Sequence, residues 1–208
     1  MTRGTLWVCM LVGAAAPVLA ADAVSPGDRP RFFDFEVKGR RVAFVCDRSG
    51  SMSDLDGTPM AAAKAGLIAS LEALGESQQF HLFFYSDRVT VYTPPGGPGR
   101  PMFADEETLR SVHRFVDGIA PSGGTRHADA LAAALAVAPD EIFLLTDGAS
   151  RHDLEPQDVE RLSTRLGRTR LFVVQFSVGD GSTQSPRLAK LATTSGGGYR
   201  VVDPTANE

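Results

Sequence analysis

The chain has 208 residues, of which 43% are hydrophobic and 22% are charged. These are the proportions of an ordinary globular protein, and the length suits one domain with a full core better than two. The formal net charge of −4, in a sequence without a basic tract, argues against nucleic acid as a partner.

The amino end predicts a secretory signal. Residues 1–3 give a short basic start, residues 6–16 are almost wholly apolar, and small residues around Ala20 match a cleavage site. We therefore expect residues 1–20 to be a signal peptide and the mature chain to be secreted or periplasmic. The apolar run is too short for a usual membrane span, so a retained membrane anchor is the weaker alternative.

The next segment, residues 21–39, is rich in Pro, Asp and Arg and has no helical or strand period. This predicts a linker, or a segment pinned to the domain. Exposed aromatic side chains in a free tail are costly, so three aromatics favour pinning: Phe32, Phe33 and Phe35. The domain proper is expected over residues 40–203, with a short tail at residues 204–208.

Apolar runs alternate with amphipathic stretches through the predicted domain. The apolar runs predict strands at residues 41–45, 79–85, 89–92, 142–146, 171–178 and 199–202. Helices are predicted at residues 58–74, 105–119, 128–138, 154–166 and 186–194. Only a short turn joins the second and third strands, so that pair must be antiparallel. We expect a doubly wound, Rossmann-like α/β fold: a mostly parallel six-stranded sheet with one antiparallel edge strand and helices on both faces.

One stretch, Asp47-Arg48-Ser49-Gly50-Ser51, follows the first strand directly. It places three oxygen-bearing side chains on a tight turn at the carboxyl end of a strand, where ligands bind in open α/β sheets. Loops at residues 123–125 and 146–148 would reach the same crevice if the first and fourth long strands are neighbours. Two carboxylates and three hydroxyls would then meet, a hard-oxygen set that suits Mg²⁺.

This pattern resembles the metal-ion-dependent adhesion site of the von Willebrand factor type A domain family, and the resemblance covers residues 40–202. The matching positions are Asp47, Ser49, Ser51, Thr125 and Asp147. The resemblance implies that the hydroxyls contact the ion directly and that the aspartates act largely through water. It also implies that a Glu or Asp carboxylate of a protein partner completes the coordination of Mg²⁺, or of Mn²⁺ or Ca²⁺.

Two other uses of this site stay open. A metal-dependent hydrolase needs a general base near the ion, for which Asp147 and His152 are the candidates. In a structural domain, the ion would only stabilise the fold. His127 lies close enough in sequence to line the site, and Arg126 either attracts an acidic ligand or points to solvent. The serines lack the G-x-S-x-G elbow and the histidines lack zinc spacing, so no catalytic residue is predicted.

Overall fold

The structure is a computed structural model that describes residues 30–94, 97, 102–148, 153–177 and 184–205. The expected signal peptide, the first part of the predicted linker, His152 and the last three residues lie outside the described residues. Within the described ranges, no helix combines the length and the apolar character needed to cross a membrane.

Strands and helices alternate along the described chain. The strands are β1 (Arg31–Phe32), β2 (Phe35–Glu36), β3 (Arg41–Asp47), β4 (Gln79–Tyr85), β5 (Val89–Val91), β6 (Met102–Phe103), β7 (Glu141–Thr146), β8 (Arg170–Phe176) and β9 (Gly198–Val202). The helices are α1 (Asp54–Glu72), α2 (Glu106–Asp117), α3 (His127–Leu135), α4 (Pro156–Leu166) and α5 (Pro186–Thr194). A short 3-10 helix at Gly50–Ser53 leads into α1.

The main sheet has the strand order β5-β4-β3-β7-β8-β9, with β6 also paired to β4. β4, β3, β7, β8 and β9 run parallel, whereas β5 and β6 both pair with β4 in the antiparallel sense. The doubly wound, mostly parallel α/β class is therefore confirmed. Beyond the expected six strands, the described residues add a seventh, β6, which like β5 is antiparallel to β4. β6 has two residues and follows a Gly/Pro-rich loop, so no apolar period reveals it.

Alternate residues of the central strand β3 enter two separate cores. Val42, Phe44 and Cys46 lie in the core beneath α1 and α2. Ala43 and Val45 lie in the core beneath α3, α4 and α5. All five side chains are buried, and burial of each larger one stabilises the fold by roughly 1.5–3 kcal/mol. Because β3 is held from both faces, the position of its last residue, Asp47, is fixed by the core.

Helix α1 begins with a distorted turn beside the site. Leu55, Asp56 and Gly57 have φ angles of 53°, 58° and 83°, in the left-handed region, and regular helix follows. The predicted start at Thr58-Pro59 corresponds to this regular part, because a proline in the first turn loses no helical hydrogen bond.

A hairpin of β1 and β2 forms a separate two-stranded sheet ahead of β3. Phe32 is fully buried, with its ring edge-on to Phe44 and Phe143 at centroid distances of 5.3 and 5.1 Å. The other two rings of the hairpin pack farther along the same face of the sheet, Phe33 against Phe176 and Phe35 against Phe172. The described part of the predicted linker is therefore packed onto the domain by its three phenylalanines.

Gly66, in the middle of α1, makes room for one of these rings. A Cβ atom at this position would overlap the ring of Phe33. A glycine inside a helix costs roughly 1 kcal/mol relative to alanine. Glycine is nevertheless favoured here, because a larger residue would prevent the ring of Phe33 from packing against the helix.

Candidate metal centre

Two of the predicted ligands follow neighbouring strands. β3 and β7 are adjacent and parallel, with Cys46 opposite Leu145 near their carboxyl ends. Asp47 is the last residue of β3, and Asp147 comes directly after β7. The condition that the first and fourth long strands be neighbours is therefore met, and the loops after both strands begin at one edge of the sheet.

The carboxylate of Asp47 is fully buried and accepts a hydrogen bond on each oxygen. The backbone N–H of Ser49 donates to Oδ1 at 2.8 Å, and the hydroxyl of Thr146 donates to Oδ2 at 2.8 Å. The Thr146 hydroxyl also accepts the N–H of Gly148 at 3.0 Å. Asp47 therefore links the turn that carries Ser49 and Ser51, which we call the serine turn, to the loop after β7.

This carboxylate carries a charge that the surrounding side chains do not balance. The pKa of Asp47 is raised to about 6: burial is the largest cause, hydrogen bonds from Ser49 and Thr146 partly oppose it, and the charge of Asp147 adds to the rise. Within the described residues, no lysine, arginine or histidine forms an ion pair with Asp47. The surroundings of Asp47 thus favour a positive ion.

Hydroxyl groups lie next to these carboxylates. Ser49 Oγ and Ser51 Oγ are 3.2 Å apart, with Ser49 almost fully buried and Ser51 partly exposed. Met52, the next residue, is fully buried in the core and fixes the turn from below. In the part of the chain that the structure describes, no three His, Cys, Asp or Glu side chains are grouped to hold a metal. Metal binding here would therefore depend on hydroxyl oxygens.

The loop that carries Thr125 is joined to the serine turn through the backbone. The N–H of Gly50 donates to the carbonyl of Gly123 at 2.9 Å, and the N–H of Ser122 donates to the carbonyl of Arg48 at 2.7 Å. Thr125 is partly buried two residues beyond Gly123. The structure thus brings the loops of all five predicted ligands to one edge of the sheet.

Arg48 strengthens this junction in a way that the sequence did not reveal. Its guanidinium Nη1 donates to Ser122 Oγ at 2.9 Å and to the carbonyl of Ala120 at 3.3 Å. Arg48 occupies a variable position of the Asp-x-Ser-x-Ser pattern, so the pattern assigns it no role. We assign it the positioning of the Thr125 loop against the serine turn.

A neighbouring carboxylate lies close to the two glycines before Thr125. Gly123 has a φ angle of 80°, and a Cβ there would overlap the carboxylate of Asp87. A Cβ on Gly124 would lie 2.6 Å from Asp87 Oδ1. Asp87 lies in the turn between β4 and β5, so this turn packs closely against the loop that carries Thr125, which we call the threonine loop.

The start of α3 is anchored from the interior. Tyr85, the last residue of β4, is fully buried, and its hydroxyl is hydrogen-bonded to Nδ1 of His127 at 2.8 Å. Burial raises the pKa of Tyr85 well above 10, and the charge of Asp47 adds to this, so the phenol stays protonated at neutral pH. His127 is 2% exposed and supports the end of the threonine loop. Arg126 is exposed and pairs with Asp129 at 3.4 Å.

Comparisons with known proteins agree with this architecture. A family model of the von Willebrand factor type A domain matches residues 40–201. A solved structure, a von Willebrand factor type A protein from Catenulispora acidiphila, is 25% identical with a TM-score of 0.67. That match covers 79% of this chain and 39% of the other, so the chain spans well under half of that protein. No curated protein matches the chain significantly.

Two more distant structures share the fold. BatB from Bacteroides thetaiotaomicron is 15% identical with a TM-score of 0.57, over 79% of this chain and 91% of the other. An aerotolerance-related membrane protein from Bacteroides fragilis is 18% identical with a TM-score of 0.59, over 79% and 92%. Since the family model spans most of the chain and the fold agrees, the chain belongs to the von Willebrand factor type A domain family.

Proposed function

We propose that this domain binds a protein partner through a divalent cation at the carboxyl edge of β3 and β7. The hydroxyls of three residues hold the ion, with two aspartates close by: Ser49, Ser51, Thr125, Asp47 and Asp147. Mg²⁺ suits this set of hard oxygens best, with Mn²⁺ or Ca²⁺ as alternatives. A Glu or Asp carboxylate of the partner completes the coordination. Domains of this family commonly serve in protein interaction, which supports a binding role.

The observation that carries the proposal is the unbalanced charge of Asp47. A fully buried carboxylate with a neighbouring aspartate, and with no ion-pair partner among the described residues, needs a positive ion to offset the cost of burial. Neutral hydroxyls leave much of the charge of a divalent cation uncompensated. An acidic sixth ligand from outside is therefore favoured over a neutral one.

An exposed apolar side chain follows the turn of Ser49 and Ser51 in the chain. Leu55, four residues after Ser51, is 52% exposed and has a φ angle of 53°, which is strained for a leucine. Strained backbone clusters at functional sites, so we include this side chain in the proposed contact surface. Leu55 would thus add apolar contact beside the charged one.

Mg²⁺ is expected to bind more weakly at pH 5 than at pH 7.5. The pKa of Asp47 is raised to about 6, so at pH 5 the carboxylate is mostly protonated and must release its proton when the cation binds. We expect the apparent Kd for Mg²⁺ to rise by about tenfold over this range, measured by isothermal titration calorimetry. An affinity that is equal at both pH values would contradict a role for the Asp47 charge.

Replacing Arg48 with alanine is expected to weaken Mg²⁺ binding by roughly tenfold without unfolding the domain. The substitution removes two hydrogen bonds between the loops, and one such bond from a charged donor contributes about 1.5 kcal/mol. Titration calorimetry with Mg²⁺ measures the effect, and circular dichroism checks the fold. Arg88→Ala, at an exposed arginine of the β4–β5 turn, is the matched control. Unchanged affinity in Arg48→Ala would remove the positioning role.

The partner-binding proposal is tested by a pull-down from the proteins of the extracytoplasmic compartment. The chain is used in Mg²⁺, in EDTA, and as the variant Thr125→Ala, with Thr164→Ala on the exposed face of α4 as the matched control. A partner retained by the wild type and the control in Mg²⁺, and lost in EDTA and in Thr125→Ala, supports the proposal. A partner indifferent to EDTA would move the interface away from the metal centre.

We propose a binding role rather than a catalytic one. His127, the described histidine closest in sequence to Thr125, is buried and hydrogen-bonded to Tyr85, so it is poorly placed to act as a general base. Metal-dependent turnover of a phosphate ester or peptide that is lost in Asp47→Ala would favour a hydrolase instead. A melting temperature that falls in EDTA while every partner stays bound would favour an ion that only stabilises the fold.

We further propose an extracytoplasmic location for the domain. The apolar run at residues 6–16 supports it, as does the shared fold with the aerotolerance-related membrane protein from Bacteroides fragilis. Amino-terminal sequencing of the protein from cells tests cleavage. An amino terminus at Ala21 supports a cleaved signal, whereas an intact amino end in the membrane fraction would show a retained anchor.

A further inference from the structure

A basic cavity lies at the edge of the sheet opposite the metal centre. Its volume is about 620 Å³, and residues at the amino ends of the adjacent strands β3, β7 and β8 line it. Five cationic side chains line this basic cavity: Lys38, Arg40, Arg41, Arg168 and Arg170. The acidic residue in its lining is Asp140. For a chain with a net charge of −4, this is a marked local excess of positive charge.

Asp140 is already engaged by the chain itself. Its Oδ2 accepts the backbone N–H groups of Arg40 and Arg41 at 3.0 and 2.8 Å. Its Oδ1 lies 3.7 Å from the guanidinium of Arg41. Asp140 therefore holds the start of β3 in place and offsets the charge of one of the lining arginines.

A second carboxylate, Glu141, lies buried behind the cavity. It accepts the N–H of Lys38 at 3.0 Å and is paired with Arg170. The ammonium group of Lys38 reaches Glu36 at 3.0 Å. Three of the five lining cations thus have acidic partners, counting Arg41 with Asp140.

Arg40 and Arg168 are the other two cations that line the cavity. Both are exposed, and within the described residues neither forms an ion pair. They come from segments far apart in sequence, which the strand order brings to one concave surface. Guanidinium groups bind phosphate oxygens through paired hydrogen bonds, so two unpaired arginines on a concave surface suit a phosphate group.

We propose that the basic cavity binds a phosphate-bearing anion, supplied either by a soluble compound or by the headgroup of an anionic lipid. Its volume is several times that of a phosphate group, so it also accommodates the group to which the phosphate is attached. The site lies at the amino ends of the strands whose carboxyl ends carry the metal loops. It is therefore separate in position from the metal centre proposed above.

The test uses the full chain with two probes at low ionic strength. Inorganic pyrophosphate is titrated by calorimetry, and vesicles of phosphatidylglycerol with phosphatidylcholine are tested by co-sedimentation. The test variant is Arg40→Glu with Arg168→Glu. The matched control is Arg110→Glu with Arg114→Glu, which changes the net charge equally at exposed positions of α2.

We expect binding in the wild type and the control, weakened at least about tenfold in the test variant. Pyrophosphate binding identifies a soluble anion as the source. Vesicle binding without pyrophosphate binding, absent on pure phosphatidylcholine, identifies a lipid headgroup. Equal loss in the test variant and the control, or no binding of either probe by the wild type, would overturn the proposal.

Discussion

Replacing Asp47 with asparagine is expected to stabilise the metal-free domain and to abolish its response to Mg²⁺. Burial raises the pKa of Asp47 from 3.8 to about 6, so this group favours folding most when it is protonated. That contribution is complete below the unfolded pKa and is lost as the pH rises through 6. At pH 7.5 the ionised carboxylate therefore costs the metal-free protein up to about 3 kcal/mol, which the neutral amide of asparagine avoids.

Chemical unfolding in EDTA and in Mg²⁺ measures both effects. In EDTA at pH 7.5, Asp47→Asn should be more stable than the wild type by roughly 1–2 kcal/mol, since the amide avoids the ionisation cost but its nitrogen cannot accept one of the two hydrogen bonds that the carboxylate accepts. In Mg²⁺ the wild type should gain stability and the variant should not. Asp117→Asn, at the exposed end of α2, is the matched control and should behave as the wild type. A variant that keeps the full response to Mg²⁺ would contradict the proposed metal centre.

Replacing Phe32 with alanine is expected to destabilise the domain by about 3–5 kcal/mol. The ring is fully buried between Phe44 and Phe143, and its loss leaves a cavity that the rigid sheet beneath it cannot fill. Guanidinium unfolding at fixed Mg²⁺ concentration measures the change. The matched control is Phe103→Ala, because Phe103 is 44% exposed and its truncation should cost less than about 1 kcal/mol.

The outcome of this experiment decides where the folded unit begins. The family match starts at residue 40, so it leaves out the hairpin that carries Phe32. A large loss of stability would make the hairpin part of the core of this protein. If Phe32→Ala lowers the free energy of unfolding no more than Phe103→Ala does, the domain does not depend on the hairpin for its stability.

Much of the fold could be predicted from the sequence, because its signals are local. The bounds of β4, Gln79–Tyr85, and of α5, Pro186–Thr194, agree with the predicted ones, since apolar runs and flanking Gly, Pro or Ser residues mark both. The short strands carry no such signal. β1, β2 and β6 have two residues each, too few for any periodicity, and their places depend on distant partners.

For the candidate site, the sequence predicts a set of residues but not their hydrogen-bonded arrangement. Asp47, Ser49 and Ser51 share one turn, so their proximity follows from the sequence. The hydrogen bond from Thr146 to Asp47 joins residues that are 99 positions apart in the sequence. The hydrogen bonds from Arg48 to the threonine loop join residues more than 70 positions apart. Such long-range contacts depend on which strands are neighbours and on loop lengths, and no local pattern reports them.

The hairpin of β1 and β2 has a mechanical consequence. It forms its own two-stranded sheet and is held to the domain chiefly by its phenylalanine rings and by the pair Arg200–Asp34. A pulling force on the chain ahead of Pro30 would therefore break side-chain contacts one after another. The parallel strands of the main sheet are instead joined by many backbone hydrogen bonds, which resist such a force together. We expect the hairpin to detach before the strands of the main sheet separate, and the remaining domain to be weakened because Phe32 leaves its core.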